Sequence, residues 1–141
     1  EHHLRAALRH RRCLVPTDGF YEWTGDKGAK QPHLIRKRGG GLFALAGVWE
    51  HWIGADGSEI DTMAILTVGA NSTMRAIHDR MPAIVPPEAF DLWLDTRSGS
   101  ADIAPAILQP APAGLLEIVP VSRRLNNPRN EGPELLLPQS G

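Results

Sequence analysis

Thiol chemistry has almost no material here. Cys13 is the single cysteine among 141 residues, so no disulfide closes within the chain and CxxC redox or metal motifs are excluded. Long apolar runs are missing as well. The longest stretches, residues 41–49 and 63–68, fall far short of the roughly 20 residues that cross a bilayer as a helix, and no leader-like segment is recognisable. Phosphate-cradling signatures are absent too, with neither GxxxxGK[ST] nor GxGxxG present. The six histidines (His2, His3, His10, His33, His51 and His78) show no HExxH or HxxxH spacing. The expectation is therefore a protein without a metal or other cofactor, and without a membrane span. A lone cysteine fits a reducing, cytoplasmic compartment.

The remaining composition is that of a globular domain, with 42% apolar and 22% charged residues. A chain of this length forms one domain, expected to span residues 1–141. The net charge is −1, but it is unevenly spread: residues 1–40 carry nine Lys/Arg against four Asp/Glu, and the rest carry six against twelve. Such polarity marks either a basic face for an anionic ligand or an ordinary solvated surface. The opening run, residues 2–12, reads as a basic helix with Leu4 and Leu8 at i, i+4. Domains seldom begin this way, so the chain is expected to be incomplete at its N-terminus.

Twelve prolines and fourteen glycines punctuate many short segments, which favours a strand-rich fold. Leu14-Val15 and residues 20–23 are β-prone pieces separated by Pro16 and an Asp18-Gly19 turn. Residues 33–37 and 42–49 read as a strand pair joined by Gly39-Gly40-Gly41, and Asp56-Gly57 as the next turn. The apolar run 62–68 reads as a strand buried on both faces. Asn71-Ser72-Thr73 offers N-cap chemistry for a short helix carrying Met74 and Ile77 and ending near His78. Residues 81–85 follow as a strand. Pro87 opens a helix with Phe90, Trp93 and Leu94 as its stripe, residues 102–108 form a second helix, and 115–121 a closing strand. The class is α+β: a mixed or antiparallel curved sheet, or an open β-barrel, with short flanking helices.

Two local patterns carry candidate chemistry. In RRCLVPTDGFYEW, Glu22 stands between aromatics in an alternating segment. Facing inward, it would be desolvated by Tyr21 or Trp23 and its pKa raised toward acid–base use; facing outward, it is a solvated surface carboxylate. In ANSTMRAIHDRMPAIV, Arg80 suits a bidentate phosphate contact and His78 a proton shuttle, the plainer reading of His78 being a helix C-terminal cap.

Together with VSRRLNNPRNEGPELL, these blocks closely resemble, in order, the signatures of the SRAP (SOS response-associated peptidase) family over roughly residues 4–138. The resemblance implies a compact α+β domain whose curved sheet supports a basic groove for single-stranded DNA, acting as a monomer. It implies DNA-damage response chemistry: covalent capture of abasic sites by an N-terminal Cys, and autocatalytic removal of the initiator Met. It implies that Glu22 and His78 are the active-site acid–base pair, that Arg80 contacts DNA phosphate, and that Trp23 and Thr67 lie near the active site on the DNA path. The family's N-terminal Cys and its Asn-Ala-Arg block are not among these residues. Cys13 matches instead a cysteine at the start of a strand, with a buried structural role expected. Two alternatives stay open: a degenerate SRAP-fold module that grips single-stranded DNA without covalent chemistry, and a peptidase acting on other proteins.

Overall fold

The fold is described from a computed structural model that covers residues 2–97 and 102–139. The opening helix α1 (His2–His10) buries Ala7 and packs Leu8 on the core, while Leu4 stays 48% exposed. Only the second half of the helix therefore anchors it. Among the described residues nine strands follow: β1 (Arg12–Thr17), β2 (Phe20–Thr24), β3 (Gln31–Lys37), β4 (Phe43–Ile53), β5 (Glu59–Ile65), β6 (Thr67–Gly69), β7 (Arg80–Pro82), β8 (Ile84–Val85) and β9 (Leu116–Pro120). Helices α2 (Phe90–Leu94) and α3 (Ala104–Ile107) are short and peripheral. The class is α+β with antiparallel curved sheets and no closed barrel.

β4 is the centre of the larger sheet. One edge takes β1, from Arg12↔Val48 to Thr17↔Phe43. The other edge takes β8 at Ala44 and Leu45, then β5 from Gly47↔Ile65 to Ile53↔Glu59. Pro16 is tolerated inside β1 because an edge strand leaves its outer N–H positions unpaired. Gly47 is required by packing: a Cβ there would meet Cys13 Sγ at 2.8 Å and Val15 Cγ2 at 3.2 Å. In the second sheet β3 lies between β2 and β9, and β6 with β7 makes a separate ribbon. The sheets close on one core containing Ile35, Phe43, Leu45, Met74, Met81, Trp93 and Leu116, and the Phe20 and Phe43 rings meet edge-on at 6.5 Å across them.

Three expectations are corrected. Residues 33–37 and 42–49 are not a strand pair, since β3 and β4 belong to different sheets. Gly39, Gly40 and Gly41 all have φ between 83° and 96°; three consecutive left-handed residues redirect the chain rather than close a two-residue hairpin. The run 62–68 is two strands rather than one buried on both faces: every residue of β5 is exposed, the chain breaks at Leu66, whose N–H bonds Ala46 O, and Val68 alone in β6 is buried. The β4–β5 hairpin projects past the core, which ends at Val48, leaving Trp49, Trp52, Ile60 and Met63 exposed. Residues 81–85 likewise split at Ala83, which bonds both Leu66 O and Ala46 N and passes the chain from the ribbon to the larger sheet.

Arg12 ties the helices to β1. Its guanidinium, nearly buried, donates to the carbonyls of Leu8, Trp93 and Asp95 and lies 5.3 Å from the Trp93 ring centre. Trp93 in turn donates Nε1–H to Cys13 O at 2.9 Å. Burial lowers the Arg12 pKa while Asp95 opposes the shift, and the carbonyls otherwise left open at the ends of α1 and α2 gain a donor.

Candidate functional site

Glu22 lies in β2 directly opposite His33 in β3. Side chains alternate along a strand, so Glu22 shares the face of Phe20 and Ile35, both packed into the core. It is half-buried on the inner face, not an outward surface carboxylate. The same alternation corrects the expected source of desolvation: Tyr21 and Trp23 project from the opposite face, where their rings lie 6.0 Å apart. There burial, with Asp18 nearby, pushes the Tyr21 phenol up.

The turn that leads into β2 is held by Thr17, whose hydroxyl donates to Gly19 O at 2.6 Å and accepts from Gly19 N–H at 3.2 Å. A Cβ at Gly19 would meet Leu34 Cδ1 at 2.9 Å and Ile35 O at 3.0 Å, so the approach of β2 to β3 depends on that glycine.

Thr67, His78 and Arg80 are brought together on the β6–β7 ribbon. Arg80 Nη2 donates to Thr67 O at 2.8 Å and to Thr67 Oγ1 at 3.2 Å. Nη1 and Nε face no protein acceptor among the described residues, and the side chain is exposed. His78 follows a single 3₁₀ turn, Met74–Ala76, capped by Asn71 Oδ1 accepting from Met74 N–H at 2.8 Å. The expected helix is only this turn, because Ile77 and His78 both donate backbone N–H groups to Met74 O. His78 does not cap it with its side chain. Nδ1 instead accepts from Arg80 N–H at 2.9 Å and stands 3.0 Å from Arg80 O. A neutral imidazole uses the first contact and a protonated one the second, so the same backbone serves both states. Among the described residues no hydrogen bond or ion pair joins this cluster to Glu22.

Trp23, on the outer face of β2, donates Nε1–H to Asn126 Oδ1 at 2.7 Å. With Gly28, Lys30, Leu125, Asn126 and Pro128 it lines a shallow hollow of ≈450 Å³. Asn126 also donates to Lys30 O, and Arg123 to Gln31 Oε1. These bonds fasten the VSRRLNNPRN block to the β2–β3 loop, a role the sequence did not disclose. A larger hollow of ≈980 Å³ is apolar, walled by Leu14, Leu42, Phe43, Pro86, Phe90 and Leu115, and contains none of the candidate residues.

Part of the N-terminal basic excess is consumed internally. Arg11 pairs with Glu50 and Arg36 with Glu117, both at 2.8 Å, and Arg12 is spent on the helix ends. Cys13 is a free, half-buried thiol whose pKa burial pushes up. No group of three His, Cys, Asp or Glu placed to hold a metal occurs among the described residues, and no described helix is long and apolar enough to cross a membrane.

Similarity to known proteins follows the same outline. Abasic site processing protein YoqW of Bacillus subtilis is 38% identical over 133 residues, 94% of this chain and 59% of YoqW. Abasic site processing protein HMCES of Gallus gallus is 35% identical, covering 93% of this chain and 44% of HMCES. The chain thus spans about half the length of these relatives, 59% of YoqW and 44% of HMCES. A crystal structure of a Bacteroides thetaiotaomicron protein superposes with a TM-score of 0.83 at 27% identity, over 95% of this chain and 59% of that one. The family model described as SOS response associated peptidase (SRAP) matches residues 1–128, and the chain belongs to that family.

Proposed function

We propose that this chain serves the DNA-damage response by binding single-stranded DNA at abasic sites. The observation that carries the reading is its 38% identity, over 94% of its length, to a protein named for abasic site processing. The placement of the candidate residues supports it. An abasic deoxyribose equilibrates between a closed ring and an open aldehyde, and opening requires proton transfer at the ring oxygen and the hydroxyl. His78 suits the first task, having a backbone partner for either protonation state. Glu22, inward and half-buried, suits proton movement at an amine that condenses with the aldehyde. Arg80 offers free guanidinium edges to a phosphate, steadied by Thr67.

Stable covalent capture as a thiazolidine needs an amine and a thiol on one residue. Cys13 does not meet that need, because its nitrogen is locked in the peptide bond to Arg12. Covalent capture and self-removal of the initiator Met accordingly need an N-terminal Cys in addition to these residues. A peptidase acting on other proteins is less well supported, since the apolar hollow large enough for a peptide contains neither Glu22 nor His78.

The test uses fluorescence anisotropy with single-stranded, double-stranded and abasic oligonucleotides, followed by denaturing electrophoresis. The expected result is preference for the abasic single strand, weakening with salt, and no adduct that survives denaturation. Equal affinity for intact duplex would refute the binding reading. A stable adduct lost in Cys13→Ala would refute the structural role of Cys13.

A further inference from the structure

His33 has no part in the resemblance, yet it faces Glu22. The two are directly opposed in the β2–β3 register and project from the same face of the sheet, where opposed Cβ atoms stand roughly 4.5–5.5 Å apart. Its Nδ1 is the single side-chain nitrogen or oxygen, among the described residues, that is sealed from solvent without a hydrogen-bond partner. Nε2 has no protein partner either and is not fully sealed. The ring is thus two-sided: one nitrogen dry, the other not sealed, on the face that carries Glu22. Buried N–H donors go unpaired less often than buried acceptors, which leaves Nδ1 bare and the proton on Nε2.

Glu22 itself makes no hydrogen bond or ion pair among the described residues. The rest of the face is quiet. β9 contributes Leu116, Ile118 and Pro120 in register with Lys37, Ile35 and His33. Lys37 is the other titratable group β3 places on this face, and Arg123 approaches Gln31 from the 3₁₀ turn Arg123–Asn126.

We propose that His33 is a positioning residue for Glu22, donating Nε2–H to the carboxylate so as to fix its rotamer and hold it in the ionised, proton-accepting form. The inference rests on the reading of Glu22 as the acid–base group, but its test does not depend on DNA. Carboxyl 13C NMR titration of Glu22 is recorded in the 141-residue chain and in His33→Phe and His33→Gln. A hydrogen bond to the charged form lowers a carboxyl pKa, so His33→Phe is expected to raise the Glu22 midpoint by roughly half a unit or more. His33→Gln, which keeps a donor, should restore it. An unchanged midpoint in a folded His33→Phe protein, or a rise that His33→Gln does not reverse, overturns the proposal. Should His33→Phe fail to fold, the comparison of wild type with His33→Gln and His33→Tyr decides. Both keep a donor and should hold the midpoint low, and a rise in both overturns it. Abasic-DNA binding by Glu22→Gln is measured alongside. If Glu22→Gln leaves binding unchanged while the two groups remain coupled in NMR, the functional reading fails and this inference stands.

Discussion

Arg80→Ala tests the phosphate contact proposed for Arg80. Arg80 is exposed and uses Nη2 to hold Thr67 O and Oγ1, so the remaining guanidinium edge is what a phosphate would meet. A hydrogen bond to a charged group is worth about 1.5–3 kcal/mol; at an exposed site the low end applies, a loss of roughly tenfold in affinity. The salt dependence is more diagnostic. On single strands each neutralised phosphate contributes about 0.7 to the slope of log K against log salt. Losing one contact should flatten the slope by about 0.7, so the wild-type advantage shrinks about 2.6-fold between about 50 and about 200 mM salt. Anisotropy titrations of an abasic strand in several sequence contexts read both quantities. Thr67→Val removes the acceptor at 3.2 Å but leaves the carbonyl at 2.8 Å, and should cost less than about threefold. If Arg80→Ala weakens binding with an unchanged salt slope, or in one sequence context alone, Arg80 is not a phosphate contact.

The other predictions concern the frame. Gly47→Ala should destabilise by about 1–3 kcal/mol in urea denaturation, because its Cβ would lie 2.8 Å from Cys13 Sγ; adding Cys13→Ala should recover part of the loss, and strict additivity would refute the clash. Arg12→Met should cost about 3 kcal/mol or more, since it strands the carbonyls of Leu8, Trp93 and Asp95; Arg12→Lys should not rescue it, a point charge being unable to fork between them. Arg97, by hydrogen bond and charge, holds the Asp95 carboxyl down to about 2. A depressed folded pKa gives stability present above the ordinary carboxyl range and lost as pH falls toward about 2. Asp95→Asn should therefore flatten the acid limb of the Tm-versus-pH curve in that window, and an unaltered limb would refute the coupling.

Local patterns were legible and pairings were not. Asp18-Gly19 announced the turn before β2, and Asn71 announced the cap that positions His78. These depend on residues within three or four positions of one another. The β3–β4 pairing failed because three glycines look the same whether they close a hairpin or redirect a chain. The run 62–68 failed because apolar content does not reveal whether a strand lies over the core or beyond it. Glu22 was singled out as a candidate, but its neighbourhood was not legible: the residue opposite it is eleven positions away and identifiable only from the register. Trp23, adjacent in sequence, is on the other face.

The charge pattern shows the same limit from the electrostatic side. The excess of cations in the first forty residues fitted either a basic face or an ordinary solvated surface. In the fold Arg11, Arg12 and Arg36 are engaged with protein groups, so these side chains are not available to an anion at no cost. The cation that lines the Trp23 hollow is Lys30. Lys30 belongs to the basic segment. Arg124 and Arg129, both exposed, belong to the acidic remainder and adjoin in sequence Leu125 and Pro128, which line that hollow; Asn126 donates to Lys30 O and Asn130 to Arg124 O. Composition by segment counts these cations but does not show which of them the fold engages. Asn126→Ala removes both of that side chain's bonds, from Trp23 Nε1 and to Lys30 O, without changing the net charge, and any loss of single-strand affinity then reports on placement rather than on total charge.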